Sequence, residues 1–331
     1  MGRDCQNRTG LGPGSQRCEH ALMGDGGFAE PDRARFVDVN RTRLRAWCWG
    51  DPDAPPVLLA HGAHDHGRMW DDFAPRVAAL GFHAVAVDLR GHGDSGRLRS
   101  GMMWVASTLD LCEVASVLAD EAGTPGAPIG MIGHSMGGGQ VLSAAATTPE
   151  RVAWIVNLDG LGPPAMAFAE TDPVTDTTEA LDRIVKVLGR PPRVWSTREE
   201  LAARRGAINV RLPDRFLRHL VEHGTVETEG GWVSKTDPRF DLGVPDGFSI
   251  DMILEGYGDV VAPVLALMSS EDDAWTELDD EEVERRIARL QDARWRSVPG
   301  AGHYVHVENP DFVLDEIERF LVGLGVLGAE R

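Results

Sequence analysis

Between Pro56 and Asp159, four short apolar runs (PVLLA, HAVAVDL, PIGMIG and VAWIVNLD) are separated by stretches whose apolar residues recur at helical spacing. Runs of this length without polar alternation are strands buried on both faces, and such strands separated by helices belong to a parallel sheet covered on both sides. The intervening helices are MWDDFAPRVAAL, WVASTLDLCEVASVLADEA and SMGGGQVLSAAATT. The pattern resumes with VLALMS, ARWRSV and a closing helix, PDFVLDEIERFLVGL. Upstream, ARFVDV and RLRAWCW alternate like half-buried strands. From about residue 161 to 245 the alternation lapses: TEALDRIVKVLG, TREELAARRG and PDRFLRHLVEHG read as helices with little strand signal. This stretch is predicted to be a helical lid inserted over the C-terminal edge of the sheet, leaving 31–160 and 246–331 as the core. Residues 1–30, rich in Gly, Arg and Asp and without periodicity, are predicted to be a disordered tail.

With 331 residues, 42% of them apolar, the chain can bury a substantial core. No apolar run approaches the roughly 18 residues of a membrane-spanning helix. The first twenty residues lack the apolar centre of a signal peptide. Four irregularly spaced cysteines, Cys5, Cys18, Cys48 and Cys112, suit reduced thiols and a cytoplasmic location. A net charge of −19, from 52 acidic and 33 basic residues, repels phosphate backbones and anionic bilayers. Nucleic acid and membrane are therefore poor partners, and a small molecule is expected. The densest acidic run, ELDDEEVERRIARL, changes sign along its length as a solvated helix with acids in its first turn does.

One junction carries chemistry. Gly133-His134-Ser135-Met136-Gly137 fits G-x-S-x-G between a predicted strand and a predicted helix. A serine on a strained strand-to-helix turn projects into the cleft, and the following N–H, that of Met136, points where an oxyanion would form. The flanking glycines let the turn approach neighbouring strands. A phosphate loop would need a lysine, and none follows. Three companions support the nucleophile reading. LLAHGAHDHGRMW places His61-Gly62 at a strand end, where the Ala63 N–H can complete the oxyanion hole. PVLALMSSEDDAW ends a late strand among acids. VPGAGHYVHVENPD puts His303 in a glycine-bounded loop before the last helix.

With the order Ser, acid, His along the chain, the sequence resembles the α/β-hydrolase superfamily over roughly residues 33 to 325. The segments DLRGHGDS and GAGHYVHVENP bring it nearest to the epoxide-hydrolase, haloperoxidase and C–C-hydrolase branch. The resemblance implies an eight-stranded, mostly parallel sheet with helices on both faces. It makes Ser135 the nucleophile and His303 the general base. The family's acid commonly lies nine residues after the proline opening its strand, which from Pro263 gives Asp272. Ser269 stands where glycine is usual, so the turn can shift and promote Asp273; some relatives instead use the position of Asp159. His306, nearer the final helix, is expected to pack there. Asp88, Arg90 and His92 are expected to buttress the serine turn.

The His-rich loop HGAHDHG departs from the metallohydrolase spacing H-x-H-x-D-H, so no metal is expected, and His64 and His66 are placed at the pocket mouth. The triad implies acyl transfer without a cofactor, on a carboxylic ester, thioester or lactone. A C–C-bond hydrolase and a cofactor-free perhydrolase share that triad, and a hydrolase fold kept as a ligand-binding module is the alternative of a different class. Epoxide hydrolases and haloalkane dehalogenases attack with Asp, where this chain has Ser135. The only tyrosines, Tyr257 and Tyr304, lie outside the predicted lid. Met166, Phe168, Trp195, Phe216 and Trp232 supply the lid's apolar surface, mostly as its own core.

Overall fold

A computed structural model gives the architecture. It describes residues 27–97, 103–162, 191–239, 250–275 and 278–328, with a few scattered positions between 178 and 189. Residues 1–26 of the predicted tail lie outside the described residues, as do Met166, Phe168 and most of TEALDRIVKVLG. The chain divides into Met1–Glu30 and Pro31–Arg331, and the fold is that of the second unit.

Strands β1 (Arg33–Val39) and β2 (Thr42–Trp49) form a hairpin. Its two turn residues, Asn40 and Arg41, both adopt positive φ, at 41° and 57°. That is the geometry that matches the twist of paired strands. Then follow β3 (Pro56–Ala60), α1 (Ala74–Ala79), β4 (His83–Val87), α2 (Met103–Glu121), β5 (Ile129–His134), α3 (Met136–Thr147) and β6 (Val152–Leu158). After the insertion come α6 (Ile250–Gly256), β10 (Val264–Ser269), α7 (Asp280–Ile287), β11 (Ala293–Val298), α8 (Val305–Glu308) and α9 (Pro310–Gly323).

The main sheet has eight strands in the order β1-β2-β4-β3-β5-β6-β10-β11, with β2 antiparallel to its two neighbours and every other pair parallel. Strands β3, β4 and β5 are buried along almost their whole length, as strands covered on two faces must be. Leu58 and Ala60 join the core beneath α2 and α3 with Leu111, Leu118, Val141 and Leu142. Val57 and Leu59, also fully buried, point to the opposite face by strand alternation. The chain runs from β3 to β4 on one side and then crosses to β5 on the other. The strand order thus reverses at β3, and a cleft opens beyond the carboxyl ends of β3 and β5, where open α/β sheets bind ligands.

The insertion is not purely helical. Helices α4 (Arg198–Gly206) and α5 (Asp214–His223) are there, but β7 (Val194–Trp195), β8 (Thr225–Thr228) and β9 (Gly231–Ser234) make a second, three-stranded antiparallel sheet in the order β7-β9-β8. Strands of two to four residues are too short to show alternation, which is why the sequence pattern missed them. Thr197 caps α4 by accepting from the Glu200 N–H, and the Glu200 carboxylate reaches back to the Ser196 N–H. Helix α5 buries Phe216, Leu217, His219, Leu220 and Val221, a single face at helical spacing.

The acidic helix α7 is less solvated than its charge pattern predicts. Arg286 is fully buried and donates to the carbonyls of Leu161 and Gly162, where the chain leaves the core. Hydrogen bonds from Arg285 and Arg286 hold the Glu282 carboxyl down at about 2.

Candidate active site

Ser135 follows β5 and precedes α3 with φ 53° and ψ −122°, a backbone conformation rarely open to a residue with a side chain. The glycines make room for it. A Cβ on Gly133 would lie 2.5 Å from the Gly137 carbonyl oxygen, and one on Gly137 would lie 2.4 Å from that of Ala60. A Cβ on Gly160 would sit 2.4 Å from the Ser135 oxygen itself. The serine N–H donates to Leu158 O at 2.9 Å, which ties the turn to the end of β6.

His303 lies in the loop between β11 and α8 and is 8% exposed. Its Nδ1 is 2.7 Å from Asp159 Oδ2. Asp159 is the first residue after β6 and also has positive φ, 49°. Its turn is fixed by Asn157, whose amide both donates to and accepts from the Gly160 backbone at 3.0 and 2.9 Å. The other Asp159 oxygen accepts from the Ser269 N–H at 2.9 Å and from its hydroxyl at 3.1 Å.

The carboxylate on the His303 ring is therefore not Asp272, the acid expected from the count along the strand. Asp272 is exposed on the turn after β10 and makes no hydrogen bond among the described residues. Asp273 takes a different part: its Oδ2 accepts from the His303 N–H at 2.7 Å and its Oδ1 from the Trp275 N–H at 2.7 Å. The clue was Ser269. At the position where this sequence departs from glycine, its two donors receive the Asp159 carboxylate.

His306 packs as expected. It is 1% exposed, with ring centroids 4.7 Å from Trp70 and 4.9 Å from His134. Burial pushes its pKa well down. His134 is also buried; its Nε2 is 3.0 Å from the His303 carbonyl oxygen, and desolvation brings its pKa to about 4.

The loop after β3 faces the serine. A Cβ on Gly62 would lie 3.2 Å from Ser135 Cβ. Among the described residues, neither the Ala63 nor the Met136 N–H donates to another backbone carbonyl. Such donors at a helix N-terminus and in a turn are available to an anion. His61 fixes the loop's first step: its Nε2 accepts from the Leu89 N–H at 2.9 Å, so Nδ1 carries the proton donated to Gly62 O at 2.7 Å.

The insertion fixes the rest. Arg205 of α4 donates to the His64 carbonyl at 3.1 Å and to Asp65 Oδ1 at 2.6 Å. The Tyr304 hydroxyl donates to Asp65 Oδ2 at 3.1 Å, and His66 Nε2 donates to Leu220 O at 2.9 Å. Neither Arg205 nor Leu220 carries a motif, and Tyr304, though inside GAGHYVHVENP, gave no sign of a contact with Asp65. From below, Asp88 accepts from the N–H groups of Gly67 at 2.6 Å and Asp94 at 2.8 Å. Burial raises its pKa to about 6. Arg90 is held by two bonds to Asp110, and the His92 ring lies 5.0 Å from that of His61. Asp88 and His92 thus support the loop bearing Ala63 rather than the serine turn.

The side chains of HGAHDHG point to different partners. The described residues do gather Asp71, His219 and His223 with ligand atoms within 4.8 Å of one another. Arg68 already supplies a cation there, donating to Asp71 Oδ2 at 2.6 Å and to His223 Nδ1 at 3.4 Å.

A cavity of about 420 Å³ lies between this loop, Tyr304, Trp275 and the insertion. Ala63, His64 and His66 are in its wall, as is Trp195. Phe216 is instead fully buried against Tyr304, and Trp232 lies half-buried under the Arg198 guanidinium at 3.9 Å.

The chain as a whole has relatives. A serine hydrolase-like protein of Danio rerio is 28% identical over 286 residues, spanning 84% of this chain and 85% of that protein. Epoxide hydrolase A of Mycobacterium tuberculosis is 26% identical, over 88% and 97% of the two chains. The thioesterase domain from the curacin biosynthetic pathway superposes with a TM-score of 0.72 at 21% identity, covering 86% of this chain and 99% of that one. The model of the alpha/beta hydrolase family matches residues 57–316, from the strand before the Ala63 loop to the last helix. Strand order, serine turn and family match agree: the chain belongs to the alpha/beta hydrolase family.

Proposed function

We propose that the protein is a serine hydrolase that cleaves a small carboxylic ester, thioester or lactone through an acyl-enzyme. The observation that carries this reading is the 2.7 Å contact of His303 Nδ1 with Asp159, which leaves Nε2 as the ring's free acceptor, in a protein whose Ser135 is held on a strained turn. In this mechanism His303 Nε2 takes the Ser135 proton as Oγ attacks the carbonyl carbon, and Asp159 holds the tautomer and stabilises the cation. The N–H groups of Ala63 and Met136 stabilise the oxyanion. Collapse expels the alcohol, thiol or tethered hydroxyl with the proton from His303. Water then attacks the acyl carbon and gives a proton to His303, which passes it to Ser135 Oγ as the second intermediate collapses, releasing the acid and free Ser135. No cofactor enters the cycle.

The test is active-site labelling. A fluorophosphonate probe should modify Ser135 in the wild-type protein and fail on Ser135→Ala. The same substitution should abolish turnover of p-nitrophenyl esters while leaving the circular dichroism spectrum unchanged. Labelling at another residue, or undiminished turnover, overturns the assignment.

A further inference from the structure

The cavity beside the Ala63 loop has a charge opposite to that of the chain as a whole. Among the described residues its wall contains four cationic side chains, Arg193, Arg204, Arg205 and Lys235, and one carboxylate, Asp65. The sequence has 52 acidic against 33 basic residues, so this local excess runs against the composition. Two of the four cations are already matched. Arg205 is paired with Asp65 at 2.6 Å, and Lys235 with Asp94 at 2.7 Å. Arg193 and Arg204 meet no carboxylate among the described residues.

Their placement is fixed by the fold. Arg193 sits one residue before β7, its guanidinium 3.8 Å from the centroid of the Trp195 ring. Stacking against a buried aromatic orients the fork and leaves its edge N–H groups for a planar anion. Arg204 is the neighbour of Arg205, whose bonds to His64 O and Asp65 anchor α4 over the loop. Because that anchor occupies Arg205, Arg204 brings an uncommitted guanidinium to the same cavity wall. The cavity, about 420 Å³, is within the range of small-molecule clefts and reaches Ala63.

We infer that this cavity is a carboxylate subsite. The substrate carries a carboxylate remote from the scissile carbonyl, and Arg193 and Arg204 hold it while the carbonyl lies at Ala63. The inference rests on the hydrolase reading for its chemistry, but the binding site itself does not. Asp65, matched to Arg205 and fully buried, adds no net negative charge to the cavity. Arginine is suited to the role because its fork binds a carboxylate through two parallel charge-assisted bonds.

The experiment pairs two activated esters that differ only in the distal group: the p-nitrophenyl monoester of adipic acid and its neutral isostere, p-nitrophenyl 6-oxoheptanoate. Wild-type kcat/KM should favour the carboxylate by about tenfold at low salt, the size expected of two charge-assisted contacts in a partly open site. The preference should shrink as ionic strength rises. In Arg193→Gln/Arg204→Gln the ratio between the two esters should fall to near unity, and Arg204→Glu should invert it. Calorimetry with adipate and neutral adipamide on the wild-type protein supplies a reading independent of turnover. Tighter binding of adipate without hydrolysis of either ester upholds the subsite and removes the esterase reading. Hydrolysis of the neutral ester at an equal or higher rate, with adipate bound no better than adipamide, overturns the subsite and leaves the hydrolase intact.

Discussion

His303 Nδ1 and Asp159 Oδ2 stand 2.7 Å apart across 144 residues of sequence, and that pairing moves the candidate acid from the end of β10 to the end of β6. Asp159→Asn keeps the shape of the site but permits the wrong imidazole tautomer. It should lower kcat steeply, by about 10⁴ where the equivalent change has been measured in a serine protease. Asp272→Asn, at an exposed position, should leave kcat within about twofold, as expected of a solvated surface group. Asp273→Asn should have a small effect, because an asparagine oxygen can still accept from the His303 N–H. Steady-state kinetics on one p-nitrophenyl ester, with folding checked by circular dichroism, decides among them. A steep loss in Asp272→Asn alone would restore the count from Pro263.

Sequence patterns carry the local features of this fold and lose those that depend on side chains meeting across it. The sheet and the serine turn were legible because they are local: apolar runs of strand length, and glycines whose absent side chains leave room for Ser135. The carboxylate on His303 was not, because an acid can reach the histidine from either of two neighbouring strand ends. β6 and β10 pair in parallel, with Leu158 opposite Leu267, so their following residues lie close together. The choice was made by side-chain hydrogen bonds, and only Ser269 hinted at it. The contacts of Arg205 and Leu220 with the loop after β3 left no trace, since the apolar spacing of α5 marks which side chains are buried but not which backbone carbonyl meets His66.

The crowding at the serine turn makes a prediction about Gly160. A methyl group there would lie 2.4 Å from Ser135 O and 3.0 Å from Ser135 N, both backbone atoms that cannot swing aside. Gly160→Ala should destabilise the protein by about 1–3 kcal/mol, the range for overpacking a tight site. It should also slow fluorophosphonate labelling of Ser135. Thermal melting and labelling rates on the same preparation test both parts; a variant that melts and labels like the wild type shows that the turn has slack.

Arg205 and Asp65 form an ion pair whose acid is fully buried. Arg205→Met would leave that carboxylate without its cation. The expected cost is about 3 kcal/mol, at the lower end for a broken buried pair because the arginine is partly exposed. Asp65→Asn combined with Arg205→Met should recover part of it. The single variant should lose kcat more than it gains in KM, since Asp65 lies two residues from Ala63. Urea midpoints and kinetics of the two variants provide the check, and equal stability of single and double variants would argue against the pair.

Stability should decline on mild acidification. Burial lowers the pKa of His61 and His134 to about 4 and that of His66 to about 3. In the unfolded chain these rings titrate near 6.5. Between about 4 and 6.5 the unfolded state therefore binds protons that the folded state excludes, and stability falls as pH falls through that window. Each histidine adds up to about 1.4 kcal/mol per pH unit to the slope. Asp88, raised to about 6, acts in the opposite sense and offsets part of the slope below that pH. Urea midpoints should drop from pH 7 to pH 5, and His66→Gln, whose amide can still reach Leu220 O, should flatten the curve. A level midpoint across the window would mean that these rings are charged in the native protein.

Arg205 and Leu220 belong to the inserted segment, yet their hydrogen bonds end on His64, Asp65 and His66. The inserted segment and the loop that carries Ala63 thus share the same bolts. Were α4 and α5 to swing outward to admit a molecule, they would draw their fastenings from the loop that presents Ala63, and the open form would be disarmed. On the proposed mechanism, such a protein would hold Ser135 quiet while solvent has free access and arm it only on closure. The same coupling limits how the segment can diverge. A replacement cap that alters which molecules enter must also reproduce three particular hydrogen bonds, or the rate is lost along with the old selectivity.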